Sequence, residues 1–315
     1  MIVVTGAAGF IGSNLVRGLN AAGRADIIAV DDLTDGARFR NLVDCDFLDY
    51  LDKDEFMASL PGGLNGVKLV FHQGACSDTL ERDGRFMLEN NYAWSRRLLE
   101  ACVDNGAGLI YASSAAVYGG NRRFIEKPQY ERPVNLYGYS KLLFDRYARR
   151  IMPRAASQVA GLRYFNVYGP GELHKGSMAS MVFRLHRQLL ENGEVRLFKG
   201  SGGYPDGEQR RDFVHIDDVV DVNLWFMKNN RVSGIFNVGT GRSRSFNDIA
   251  RLLIDWHAGG RVHYLDFPED LLDAYQSFTE ADISALREAG YRKPFTGLEL
   301  GIRKYLDKLG GQPAR

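Results

Sequence analysis

Met1-Ile-Val-Val-Thr5, then Gly6-Ala-Ala-Gly9-Phe10-Ile11-Gly12, then a helical run over 13–19: this opening decides the fold. The first five residues are a short apolar, β-branched run suited to a buried parallel strand. Strand, glycine turn and helix in that order form a dinucleotide-binding fingerprint, here spaced Gly-x-x-Gly-x-x-Gly. Gly6 permits the tight turn. Gly9 lets backbone N–H groups approach a pyrophosphate at the helix N-terminus, and Gly12 lets helix and strand pack closely. The expectation is an α/β protein: a doubly wound parallel Rossmann sheet with a smaller α/β substrate-binding lobe.

A second strand at 26–30 ends in Asp31 and Asp32. An acidic residue about 20 positions past the glycines bonds the adenosine ribose and by itself favours NAD. Arg38 and Lys53 follow, and either can meet a 2′-phosphate, which favours NADP. A third strand at 67–71 leads into His72-Gln73-Gly74-Ala75-Cys76-Ser77. Small residues beyond a strand's C-terminal end line a cofactor groove. No second His/Cys set lies at ligand spacing, so no metal is expected. A long helix over 86–105 carries Asn90, Asn91 and Tyr92 near its start, facing the cofactor. A strand at 108–112 ends in Ser113 and Ser114, hydroxyls at the edge where chemistry belongs.

Tyr137-Gly-Tyr-Ser-Lys141 opens the next helix. Residues four apart share a helix face, so Tyr137 and Lys141 present a phenol and an ammonium side by side. The ammonium is expected to favour the phenolate and bring the phenol towards neutral pKa, as a general acid/base needs.

Composition bounds the partners. The chain has 315 residues, 45% apolar and 25% charged, and a formal net charge of +1 from 40 basic and 39 acidic side chains. That balance implies neither nucleic acid nor a membrane surface. Cys45, Cys76 and Cys102 are widely spaced, which fits reduced thiols in a cytosolic protein better than a disulfide framework. No apolar run reaches a membrane-spanning length, and the N-terminus has no secretory leader pattern.

The glycine turn, the strand-end Ser114 and Tyr137-x-x-x-Lys141, in this order, resemble the extended short-chain dehydrogenase/reductase family. The resemblance implies a hydride-transfer constellation of Ser114, Tyr137 and Lys141, with Lys141 also bonding the nicotinamide ribose. Ser113 offers the same hydroxyl one residue earlier, so the register stays open. Further segments narrow the likeness: DGARFRNLVD, FHQGACSDT, RYFNVYGP, HKGSMAS, RRDFVHIDDVVDVNLWF, SGIFNVGTGRSRSFNDIA and AYQSFTEADISALREAGY are similar to the ADP-glyceromanno-heptose 6-epimerases. That likeness covers nearly the whole chain and departs from it mainly at 202–209. It implies Lys175 as a second acid/base across the cleft from Tyr137. It implies cofactor contacts at Phe10, Ile11, Val167 and Lys175, besides the glycine turn, Asp31, Asp32, Arg38, Lys53, 73–77 and Asn90. It implies substrate contacts at Asn166, Ser177, Arg184, Phe198, Lys199, Gly200, Ser201, Arg211 and Tyr275. The activity implied is inversion at C6 of an ADP-linked heptose with NADP held tightly, a cytoplasmic step supplying lipopolysaccharide core in a Gram-negative bacterium. A homo-oligomer is implied, a pentamer among the forms.

Domain limits follow the motifs: 1–168 with 212–239 for the dinucleotide, 169–211 with 240–315 for the substrate. The run Phe213-Val-His-Ile is expected to rejoin the main sheet, and 234–238 to be its last strand. Helices are expected at 246–256 and 298–309. Two other functions compete. A nucleotide-sugar 4-epimerase would use the same fold and triad. Dehydration is disfavoured because Ser113-Ser114-Ala115-Ala116 lacks the carboxylate that dehydratases carry there. A catalytically silent dinucleotide sensor would not need an intact Ser/Tyr/Lys set.

Overall fold

The structure is a computed structural model and describes residues 1–60, 62–267 and 276–310. Its strands are β1 (Ile2–Thr5), β2 (Ile27–Asp31), β3 (Asp49–Asp52), β4 (Leu69–His72), β5 (Gly108–Ser114), β6 (Val159–Tyr164), β7 (Asn166–Tyr168), β8 (Glu194–Phe198), β9 (Arg210–His215), β10 (Gly234–Val238), β11 (Ser243–Ser245) and β12 (Arg261–Leu265). Seven of them form one parallel sheet in the order β10-β6-β5-β4-β1-β2-β3. All four residues of β1 are buried, as a strand with helices on both faces requires. The order reverses at β1 beside β4, and a crevice opens at such a switch point beyond the strand ends.

The helices Phe10–Ala21 and Ile216–Lys228 cover one face and share a core with Val4, Phe71 and Leu162. The helices Trp94–Asp104 and Leu136–Ile151 cover the other, around Val3, Val70 and Leu109. A separate apolar cluster joins the helices Met181–Asn192, Phe246–Trp256 and Leu298–Lys308 to the two-stranded β12-β8 sheet. The helix Phe246–Trp256 starts at a capping box made by Ser245 and Asp248.

Three expectations change. Phe213-Val-His-Ile does not rejoin the main sheet: β9 lies between β11 and β7 in a small sheet of its own. The run is as apolar as a main-sheet strand, and pairing partners cannot be read from apolarity. Leu286 and Tyr291, read as part of the smaller lobe, pack into the core of the main sheet. The helix expected over 86–105 spans Gly84–Leu88 and Trp94–Asp104 with a π-helical turn, Glu89–Ala93, between them. Asn91 in that turn accepts from Cys76 N (2.8 Å) and donates to Cys76 O (2.9 Å), holding the loop beyond β4.

Candidate functional site

A cleft of about 800 Å³ lies over the C-terminal ends of the central strands. The glycine turn forms its floor. Gly6 has φ +68°, and a Cβ there would stand 2.5 Å from Gly74 N; a Cβ on Gly12 would stand 2.0 Å from Gly6 O. Both close approaches exist only because these positions carry no side chain. Such a bare-backbone floor at a helix N-terminus fits a dinucleotide's pyrophosphate.

At the end of β2, Asp31 accepts from Ala8 N (2.7 Å) and Asp32 N (2.7 Å) and pairs with Arg38 (2.9 Å). Burial raises its pKa while Arg38 opposes the rise. Asp32 pairs with Lys53 (2.7 Å), whose ammonium holds the carboxyl well below the usual range. Arg38 thus carries one bond to Asp31 and one to Asp32 O (2.8 Å), and its buried Nε has no partner among the described residues.

The reacting corner is built on β5 and the helix Leu136–Ile151. Asn135 caps that helix by accepting from Gly138 N (2.8 Å). Tyr137 stands beside Ser114, whose hydroxyl tends to lower the phenol's pKa, but burial is the larger effect and raises it. The expectation that Lys141 brings this phenol down therefore fails in the free protein: the Lys141 ammonium turns to Ala112 O (2.9 Å), and burial lowers its pKa to about 8. The two serines separate. Ser113 is buried and donates to Asp145 Oδ2 (3.0 Å), whereas Ser114 stands beside Tyr137. A strand's alternation forces this, since neighbours point to opposite faces.

Lys175 comes from the short 3₁₀ turn Leu173–Met178. Its ammonium lies 5.3 Å from the centre of the Phe10 ring and makes no ion pair among the described residues. Glu172 is the nearby carboxylate, fully buried, but it is occupied by Ser180 N (2.5 Å), Ser180 Oγ (2.7 Å) and Tyr305 Oη (2.9 Å). Burial lowers the Lys175 pKa, against a weaker pull from Glu172.

The cleft brings together the glycine turn with Phe10 and Ile11, Asp31, Asp32, Arg38, Lys53, the 73–77 loop, Asn90, Ser114, Tyr137, Lys141, Asn166, Val167, Lys175 and Arg184. Other expected contacts stand away from it. Ser177 is exposed and is not part of the cleft lining. Phe198, Lys199, Gly200 and Ser201 lie at the end of β8, where 202–209 folds back on them: Asp206 accepts from Gly200 N (2.7 Å), and Gln209 donates to Lys199 O (2.8 Å) and Ser201 Oγ (3.1 Å). Lys199 itself pairs with Asp266 (2.7 Å). Arg211 is buried, donates to Arg210 O (3.0 Å) and stacks over Phe246 (5.5 Å). Tyr275 lies outside the described residues. His72 is a core histidine, bonded to Thr5 Oγ1 (2.7 Å) and Ser95 Oγ (2.8 Å), and burial lowers its pKa to about 3. No group of three side chains that could hold a metal occurs among the described residues.

Sequence reasoning missed His174, Met178, Ser180 and Met181 in the cleft wall. It also missed Asp145, which takes Tyr111 Oη (3.0 Å), Ser113 Oγ (3.0 Å) and the fully buried Arg163 (2.8 Å). Asp145 stands four residues after Lys141 on one helix face, a spacing that was available as a signal.

A parallel sheet with a glycine-floored crevice and a Ser/Tyr/Lys corner defines a dinucleotide-dependent enzyme of the hydride-transfer type. Comparison with known proteins agrees. Residues 2–239 match the NAD dependent epimerase/dehydratase family, and the chain belongs to that family. An ADP-L-glycero-D-manno-heptose-6-epimerase of Alkalilimnicola ehrlichii is 56% identical over 100% of this chain and 99% of its own length. The crystal structure of the Helicobacter pylori ADP-L-glycero-D-manno-heptose-6-epimerase superposes with a TM-score of 0.85 at 33% identity, over 99% of this chain and 96% of that one. The UDP-glucuronic acid 4-epimerase of Bacillus cereus, solved with UDP-glucuronic acid and NAD, superposes at 0.82 with 25% identity over 98% of both chains. No helix among the described residues is long and apolar enough to cross a membrane.

Proposed function

We propose that this protein inverts C6 of ADP-D-glycero-β-D-manno-heptose to the L-glycero epimer through a transient ketone. The observation that carries the mechanism is a pair of proton-handling groups in one cleft, Tyr137 beside Ser114 and Lys175 beside Phe10. A nicotinamide held in this crevice would supply the hydride chemistry, as acceptor and then donor of the carbinol hydride. The chain's own groups move the proton. Tyr137, beside Ser114, would take the hydroxyl proton as the phenolate in one orientation of the sugar, a form that the nearby Lys141 ammonium and the positive charge of an oxidised nicotinamide would favour. Lys175 gives a proton to the ketone oxygen in the other. Burial lowers the Lys175 pKa, which brings a normally inert ammonium nearer the range where it exchanges protons. Lys141, one turn along the same helix, would hold the nicotinamide ribose next to the phenol. Asn166 and Arg184, which line the cleft, are assigned to the nucleotide sugar, within a lobe of 169–211 and 240–315 from which Leu286 and Tyr291 depart.

NADP is the cofactor favoured, since Arg38 and Lys53 stand at the ribose end of β2 and Arg38 Nε is unspent. The subunits are assigned to a homo-oligomer, a pentamer among its forms, in the cytoplasm. The test incubates purified protein, without added cofactor, with ADP-D-glycero-D-manno-heptose and separately with UDP-glucose, and follows inversion by NMR. Inversion of the heptose alone is expected. Turnover of UDP-glucose alone would make the protein a 4-epimerase, and turnover of neither would make it a sensor. Mass measurement of the extracted nucleotide decides NADP against NAD, and sedimentation gives the oligomer.

A further inference from the structure

The stretch 170–175, which ends in Lys175, is fastened to the floor of the cofactor crevice at two points. Asn14, on the helix behind the glycine turn, donates through Nδ2 to Phe10 O (2.8 Å) and Pro170 O (2.8 Å). Asn41 closes the 3₁₀ turn Gly36–Asn41 that carries Arg38. Its Nδ2 reaches Ala8 O inside the glycine turn (2.9 Å), Gly171 O (3.1 Å) and His174 Nδ1 (3.1 Å). Both amides are only 9% exposed, so they work out of reach of competing water. Each spans from the backbone of the dinucleotide fingerprint to the backbone just before Lys175.

The stretch needs such a tie. Gly171 (φ +101°) lies within it and Gly176 (φ +52°) follows it, so its own backbone has wide latitude. Lysine also has more side-chain freedom than most residues, and Glu172, spent on Ser180 and Tyr305, does not restrain its ammonium with an ion pair.

We propose that Asn41 is a positioning residue for Lys175, setting the height of the 170–175 stretch over the glycine turn and with it the reach of the ammonium into the cleft. The proposal rests on Lys175 being the second acid/base. Asn41 touches neither substrate nor reacting atoms in it. The adenosine end of the crevice, where Arg38 sits on the same turn, and the proton donor at the reacting end then share one buried amide.

The two-group scheme makes the role separable from general damage. Tyr137 alone handles the proton when its own epimer loses a carbinol C–H as hydride and the O–H proton passes to the phenolate, leaving the phenol. Completing the inversion requires Lys175 to protonate the oxygen of the turned ketone. The experiment uses the holoenzyme and its Asn41→Ala and Asn41→Asp variants, the second isosteric but without N–H donors. Three readouts are taken: net inversion, the single-turnover appearance of reduced nicotinamide from the epimer Tyr137 serves, and the rate at which an acylating reagent labels Lys175, read from the mass of its peptide. Both variants should lose inversion by about 10- to 100-fold while nicotinamide reduction stays within about threefold, because a displacement of about 1 Å of one group costs that much. Labelling of Lys175 should rise several-fold. Reduction falling in parallel with inversion, or unchanged inversion, or unchanged labelling, overturns the proposal. Lys175→Met is the reference. If it inverts normally, the reading of Lys175 fails; if it is inactive while both Asn41 variants invert normally, only the positioning role fails.

Discussion

Tyr137 and Lys175 enter one cleft from opposite kinds of backbone. Tyr137 stands in the first turn of a sixteen-residue helix, capped by Asn135, packed against β5 and backed by the buried Asp145–Arg163 pair. Lys175 stands in a six-residue 3₁₀ turn bracketed by glycines and held by side chains from distant parts of the chain. The first is positioned locally, so a substitution elsewhere moves it little. The second is positioned by long-range hydrogen bonds, each of which is a separate place to disturb it. A helix-borne phenol gives a rigid partner for chemistry, while a loop-borne amine can meet a sugar in its second orientation.

Removing the helix-borne group should have the largest effect. Tyr137→Phe is expected to lower inversion by about 10⁴-fold, the upper end for a lost general acid/base, and nicotinamide reduction with it. Equal rates in variant and parent would end its assignment as the proton acceptor. Lys175→Met should cost inversion about 10²-fold or more while sparing reduction from one epimer. If both epimers lose reduction equally, the two groups are not divided as proposed. Third comes Arg38→Ala, which removes the forked cation at the ribose end. The preference for NADP over NAD, measured as a ratio of dissociation constants, should fall by about 10- to 100-fold.

Lys141 allows a test by pH. Its folded pKa, about 8, lies below the ordinary 10.5. Between those values the unfolded chain binds the proton and the folded one does not, so stability rises with pH across that window. Below pH 8 the buried charge costs its full amount, about 3 kcal/mol at about 1.4 kcal/mol per pKa unit. Lys141→Met should therefore be more stable than the parent at pH 7 in urea melts, and the gap should close towards pH 10.5. A gap independent of pH would mean Lys141 is not desolvated. The smallest effect belongs to Lys199→Ala, whose pairing with Asp266 is exposed to solvent and screened by it. Its KM should stay within about threefold, as suits an ammonium outside the cleft; a large rise would mean that the 198–201 loop swings in around the substrate.

The contrast between Tyr137 and Lys175 also explains what could be read in advance. The glycine turn and the Tyr137/Lys141 pair obey short periods, three and four residues, which local geometry alone imposes. Asp145 obeys the same period, but a carboxylate on a helix is ordinarily solvated, so spacing alone does not single it out. Ser113 and Ser114 could not be told apart from composition, yet strand alternation assigns them opposite faces once β5 has a register. Lys199, Arg211 and β9 depend on Asp266, Phe246 and the strands β7 and β11, partners that the tertiary fold supplies. So does the sign of the Tyr137 pKa shift: proximity in sequence suggests Lys141 would lower it, but burial and the turn of Lys141 to Ala112 O decide otherwise.

The amino-acid sequence by itself determined a parallel α/β sheet with a glycine turn at its switch point, a Tyr/Lys pair on the helix after β5, and membership of one enzyme family through motifs in fixed order. These rest on steric rules that act within a few residues. Only the tertiary structure decided which serine faces the phenol, that β9 leaves the main sheet, that Arg38 and Lys53 are held by Asp31 and Asp32, and that Asn14 and Asn41 fasten the Lys175 stretch to the glycine turn. Burial and hydrogen bonding between groups that the fold brings together set those outcomes, some only 7 positions apart, as Arg38 and Asp31, and some 156 apart, as Asn14 and Pro170.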